Sequence, residues 1–146
     1  MSTKNSAEST ALADQLHSAA IHLLRKLRRE DAASGLNAPR LSALSVVVFA
    51  GPLTLGDLAA AEQVRPPTMT RIVDALAEQG LVSKKKNAQD ARSTLIHATA
   101  AGKRLLLQGR ERRVRALAVQ IEALGEEDRA ALENAAEILR KVIAGI

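Results

Sequence analysis

Two short stretches of this sequence concentrate the side chains that can do chemistry. The first is Arg65-Pro66-Pro67-Thr68-Met69-Thr70-Arg71, and the second is Lys84-Lys85-Lys86 followed by Asp90-x-Arg92. Guanidinium and ammonium groups donate several N–H bonds and accept none, so such clusters suit the binding of phosphate or carboxylate rather than bond-making. Arginine adds a planar fork that fits the O6 and N7 edge of guanine. Threonine adds a hydroxyl for base or phosphate and a methyl group for thymine. The chemistry on offer is recognition of a polyanion.

Charge placement supports this. The 146 residues carry a net charge of +5. Residues 1–64 are balanced at 6 Lys+Arg against 6 Asp+Glu, residues 65–113 hold 11 against 4, and residues 114–146 hold 4 against 6. A basic block confined to the middle third is an electrostatic footprint, whereas solubility alone would scatter the charges. Phe49 is the single aromatic residue, so the stacking surfaces that hold single strands or splayed RNA bases are missing and duplex DNA is the expected partner.

Other classes are disfavoured. Cysteine is absent, which excludes disulfides, zinc knuckles and thiol-based peroxide sensing. His17 and His22 lie five apart, about 140° around a helix, and share no face. There is no metal-ligand cluster, Gly-rich phosphate loop or nucleophile motif, so no catalytic residue, metal or cofactor is expected. No apolar run approaches the roughly 20 residues of a membrane span, and the start lacks the pattern of a signal peptide. A cytoplasmic protein with no membrane partner is expected.

The elements that must position the two stretches follow from periodicity. Residues 1–10 read as a disordered polar tail. Leu12, Leu16, Ala19, Ala20, Leu23, Leu24 and Leu27 mark a long amphipathic helix whose other face, Arg25, Lys26, Arg28 and Arg29, reads as solvated. Ser34, Gly35, Asn37 and Pro39 predict a loop. A second helix then ends at Gly51-Pro52, and a third starts after Thr54 as N-cap and runs to about Gln63. Pro66-Pro67 sits in the first turn of a fourth helix that continues to Gln79, with Gly80 as its stop. Two short helices about three residues apart form a helix-turn-helix pattern.

On a helical wheel Met69, Ile72, Val73 and Leu76 of the fourth helix share one arc and form its core face. Pro67 and Arg71, flanked by Thr68, Thr70 and Asp74, face outward, as a helix entering the major groove requires. Leu81-Val82, the three lysines and Thr94-Leu95-Ile96-His97 predict a hairpin with a charged tip. Its lysines cannot all point one way and would supply salt-dependent affinity. Arg92 at the tip is placed for a narrow minor groove, with the Asp90 carboxylate expected to bond and orient its guanidinium. From Thr99 a long helix runs past Ile121 to Gly125, and a last one carries Leu132, Ala135, Leu139, Val142 and Ile143 on one face. The fold class is mainly α (α+β), in the order ααααββαα.

The stretch Leu53 to Gly102 resembles the DNA-binding lobe of the MarR family of bacterial and archaeal regulators. Asp90-x-Arg92-Ser93 and the Thr99-x-x-Gly102 step into a long helix are the most specific features, supported by the helix PPTMTRIVDAL and by the GLV that leads into the wing. The resemblance implies a winged helix-turn-helix lobe at 53–98, with N-terminal helices at 11–52 and C-terminal dimerisation helices at 99–146. It also implies a homodimer with intertwined terminal helices, recognition helices in successive major grooves of a pseudo-palindromic operator, wing arginines in the flanking minor grooves, and repression relieved by a small ligand. Arg92 matches the family's wing arginine and Asp90 its buttress. Arg65 stands where a small capping residue is common, and Ala98 replaces a leucine.

The resulting expectations are DNA contacts at Arg65, Pro67, Thr68, Thr70, Arg71, Lys84, Lys85, Lys86, Asp90 and Arg92. A dimer interface is expected at Leu12, Leu16, Leu132, Leu139, Val142 and Ile143. In similar proteins an effector binds between the lobe and the terminal helices, where His17, His22 and Arg25 are placed to line a crevice. The competing reading is a winged-helix module for protein partners or non-specific DNA architecture. Such a module would need neither an outward arginine on the fourth helix nor a braced arginine at the hairpin tip.

Overall fold

In a computed structural model, which describes residues 2–146, six α-helices and a small sheet follow the expected order with two additions. The helices are α1 (Ser2–Leu27), α2 (Ala38–Ala50), α3 (Leu55–Ala61), α4 (Pro66–Glu78), α5 (Ala100–Glu122) and α6 (Glu126–Ala144). The strands are β1 (Leu53–Thr54), β2 (Val82–Lys86) and β3 (Thr94–Ala98). The additions are β1 and a 3-10 helix at Arg28–Ser34.

Local chemistry sets most boundaries. Asn37 caps α2 by accepting from Arg40 N at 3.1 Å, and Pro39, expected in a loop, instead sits in the first turn of α2, where its missing N–H costs nothing. Thr54 caps α3 by accepting from Asp57 N at 3.1 Å. α3 stops at Ala61, earlier than expected, because Gln63 turns the chain with φ 54°. Gly80 ends α4 in the left-handed region, φ 69°, which suits a residue without Cβ. Residues 2–10, expected as a disordered tail, continue α1. There Thr10 Oγ1 donates to the Ser6 carbonyl at 2.8 Å, and Ala7 carries no penalty for helix propagation. Met1 lies outside the described residues.

The sheet runs β1-β3-β2, antiparallel throughout. β1 pairs Leu53 with Ile96 and Thr54 with Leu95, which makes a three-stranded sheet of the expected hairpin. The core lies between this sheet and α2, α3 and α4. Leu44, Val47, Leu58, Met69, Val73, Leu76 and Ile96 are its largest fully buried side chains. α5 enters it at Gly102, which is buried against the Leu81 carbonyl. Farther along, Arg113 pairs with Asp31, and Arg112 Nε donates to the Glu30 carbonyl at 3.3 Å, fastening α5 to the 3-10 helix. In contrast, α6 buries none of its residues, and neither does α1 from Ser6 onward. Among the described residues, no single helix is long and apolar enough to cross a membrane.

Candidate nucleic-acid interface

The inward face of α4 fixes what its outward face presents. Met69, Val73 and Leu76 are completely buried and Ile72 half-buried, as the wheel predicts. Rotation by 100° per residue then leaves Arg65, Pro67, Thr68, Thr70 and Arg71 exposed along the N-terminal half. Arg65 occupies the N-cap position without a side-chain capping bond, so its guanidinium is not spent on the helix end. Thr70 Oγ1 donates to the Pro66 carbonyl at 3.0 Å, which leaves its lone pairs and methyl group facing out. The first turn offers no free backbone N–H, because Pro66 and Pro67 have none and Thr68 N and Met69 N donate to the Arg65 carbonyl at 3.0 and 3.1 Å, so phosphate attraction at this end falls to the side chains.

The wing departs from expectation at two side chains. Strand alternation puts Lys84 and Lys86 on one face of β2 and Lys85 on the other, opposite Ile96, Thr94 and Leu95 respectively. Lys84 lies on the face turned toward α4, and its ammonium forms an ion pair with Asp74. One of its ammonium donors is thus engaged within the lobe, with a partner that the sequence reading did not give this expected DNA contact.

The second departure is at the tip. Asp90 Oδ1 accepts from the backbone N–H of Arg92 at 3.0 Å and not from its guanidinium. With one residue between them, the short Asp side chain reaches the backbone in an Asx turn more readily than it reaches the end of a long arginine. Asp90 therefore shapes the loop that carries Arg92, and the guanidinium extends free of it.

Sequence reasoning missed two further residues that hold this loop. Asn87 Nδ2 donates to Ser93 Oγ at 3.0 Å, and Asn87 Oδ1 accepts from Gln89 N at 3.0 Å. Ser93 Oγ in turn donates to the Asp90 carbonyl at 3.1 Å, and Asn87 N donates to the Ser93 carbonyl at 3.1 Å. The available signal was Asn87 at the start of a polar turn, where its amide can cap its own backbone. The result is a hairpin tip tied across its base, with exposed Arg92 at its end.

Away from the lobe, Leu12, Leu16, Leu132, Val142 and Ile143 are exposed and Leu139 is half-buried. Ile21, Leu24, Leu107, Val114, Val119 and Ile138 extend the same apolar surface over α1, α5 and α6. Of the three residues expected at a ligand crevice, only His22 lines a cavity. That cavity, about 470 Å³ between α1, the 3-10 helix and α5, is also lined by Leu23, Leu27 and Leu117 and by two opposite charges, Lys26 and Glu30. His22 Nδ1 donates to the Ser18 carbonyl at 2.8 Å. His17 and Arg25 are exposed elsewhere on α1, and Lys26 supplies the cavity's cation instead.

The chain has relatives of matching length. It is 34% identical, over 90% of its own length and 92% of the relative's, to an HTH-type transcriptional regulator of Mycobacterium leprae. It is 33% identical, over the same shares, to one of Mycobacterium tuberculosis. Among solved structures, a transcriptional regulator from Thermotoga maritima has the same fold with a TM-score of 0.83 at 20% identity, covering 92% of this chain and 95% of that one. A variant of S. aureus MepR bound to an oligodeoxyribonucleotide superposes with a TM-score of 0.71 at 19% identity, covering 90% and 97%. Residues 36–94, from the first core residue Leu36 to the start of β3, match the MarR family. The chain belongs to the MarR family of transcriptional regulators.

Proposed function

We infer that this regulator is a sequence-specific duplex-DNA-binding protein of the cytoplasm that acts as a homodimer, has no catalytic activity, and represses transcription until a small ligand releases it. The observation that carries this reading is the pairing of two exposed surfaces held rigidly by one core. Burial of Met69, Val73 and Leu76 turns Arg65, Pro67, Thr68, Thr70 and Arg71 outward, and the tied hairpin next to them ends in Arg92. α4 has the dimensions and polarity of a major-groove helix, with Arg71 as its base-reading fork. Lys85 and Lys86 supply backbone attraction, and Arg92 suits an adjacent narrow minor groove. That MepR, of the same fold, is seen with DNA bound supports this use of the lobe.

Dimerisation is supported by the apolar residues of α1, α5 and α6, too many and too contiguous to be left in water by a single chain. A twofold axis through these helices would repeat the DNA lobe and call for a pseudo-palindromic operator with half-sites about 10 base pairs apart. The cavity beside His22 has mostly apolar walls with Lys26 and Glu30 as opposite charges among them, which favours a small, largely apolar molecule as effector.

The test is selection of duplexes from a random pool, followed by competition between the selected site and random duplex. A palindromic consensus bound at least about 1,000-fold more tightly than random DNA is expected. Equal affinity for both would instead support a non-specific architectural role.

A further inference from the structure

The ion pair between Lys84 and Asp74 links the wing to α4 across ten residues of sequence. Its side chains are 42% and 47% exposed, so it adds little to stability. Its consequence lies in the electrostatics of the DNA-facing surface. Asp74 is three residues beyond Arg71 and four beyond Thr70, hence their neighbour on the helix. An unpaired carboxylate there would repel an approaching phosphate, and an unpaired lysine would attract any phosphate regardless of sequence. Joined, they present no net charge. Lys85 and Lys86 have no ion-pair partner among the described residues and keep their full charge for the backbone.

Resting on the reading that the lobe binds duplex DNA, we propose that Asp74 withholds Lys84 from DNA phosphates and so limits the sequence-independent affinity of the lobe. By removing one cation from the sequence-independent attraction, it leaves a larger share of the binding energy to the base-reading side chains of α4. A contribution shared by all duplexes cancels in the ratio of operator affinity to random-DNA affinity, so the pair lowers absolute affinity and its salt dependence and leaves that ratio unchanged. Asp74 thus acts through Lys84 and is a positioning residue, not a contact.

The decisive measurement is the salt dependence of binding by the full chain, on random duplex and on a selected duplex, between about 50 and 200 mM salt. In Asp74→Asn the freed Lys84 gains a phosphate. The slope of log affinity against log salt steepens by about 0.9, a change of about 3.5-fold across that range, on selected and random duplex alike. In the double variant Asp74→Asn, Lys84→Gln the wild-type slope returns. An unchanged slope in the single variant overturns the proposal. So does a double variant about 0.9 shallower than wild type, which would mean that Lys84 already contacts phosphate. Thermal melting monitors folding, and if Asp74→Asn is unfolded the double variant decides alone. A wild type without operator preference defeats the regulator reading and leaves the slopes measurable. Unchanged slopes defeat this proposal and leave operator choice standing.

Discussion

Gly102 and Leu81 approach so closely that a Cβ at Gly102 would stand 2.2 Å from the Leu81 carbonyl oxygen. That carbonyl accepts from Thr99 N at 3.1 Å, while Thr99 Oγ1 donates to the Gly80 carbonyl at 2.6 Å and accepts from Gly102 N at 3.1 Å. The Thr99-x-x-Gly102 step is therefore a joint that pins the first turn of α5 to the point where α4 gives way to the wing. It ties the orientation of the DNA-facing surface to the helix that leads away from it.

Gly102→Ala should accordingly destabilise the protein although alanine is the better helix former. The propensity gain is about 1 kcal/mol, but the Cβ would also lie 3.1 Å from Leu44 Cδ1, and neither the carbonyl nor the core can yield freely. A net loss of about 1 to 3 kcal/mol is expected from overpacking, read as a lower denaturant midpoint. Thr99→Ala, which removes the cap without adding bulk, should cost about 1 kcal/mol. A Gly102→Ala protein as stable as wild type would show that the joint can open.

What was legible in the sequence was chemistry between near neighbours. Thr54 as a cap, Thr99 as the start of a helix, Gly80 as a stop and the Met69, Val73, Leu76 face of α4 all depend on residues within four positions of one another. What was not legible depends on pairing between distant segments. The two-residue β1 has no periodicity of its own and exists because β3 lies beside it. The ion pair of Lys84 was not legible because its partner Asp74 belongs to another element. The Asp90 error was one of reach: the right residue was named with the wrong donor group of Arg92.

Arg71 and Lys85 should separate base reading from backbone attraction. Arg71→Ala is expected to cost about 1 to 3 kcal/mol on the selected operator and to relax the preferred base at one position of each half-site. Lys85→Ala should weaken all duplexes alike and make the salt slope shallower by about 0.9. Competition binding at several salt concentrations measures both effects. A uniform loss in Arg71→Ala would demote it to a phosphate contact.

At the wing tip, removing a carboxylate and removing an acceptor have opposite signs. Asp90→Asn retains Oδ1 for the Arg92 N–H while deleting a negative charge near DNA, so affinity should rise modestly with the preference for A·T-rich flanks intact. Asp90→Ala deletes the acceptor as well, and the loosened tip should lose that flank preference even though Arg92 is still present. Arg92→Ala should lose both affinity and preference. Flank-swapped duplexes in one competition series distinguish the three, and an Asp90→Ala protein that retains the preference would show that Asn87 and Ser93 hold the tip without it.

Dimerisation has its cleanest probe at Ile143. In a single chain this side chain is 67% exposed, so an aspartate there would meet water and cost the monomer almost nothing. Leu139, one turn earlier and half-buried, would be perturbed even in a monomer and is the weaker test. If α6 packs against a second copy, Ile143→Asp instead places a carboxylate in an apolar interface, where an unpaired charge costs several kcal/mol or more. Sedimentation should then give the mass of one chain, with far-ultraviolet helicity retained or partly lost. Operator binding should collapse although every residue of α4 and the wing is intact, because two lobes held at a fixed spacing bind far more tightly than one. An Ile143→Asp protein that sediments as a dimer would move the interface off this face of α6. A wild type that is monomeric and binds a single half-site at full affinity would remove the homodimer altogether.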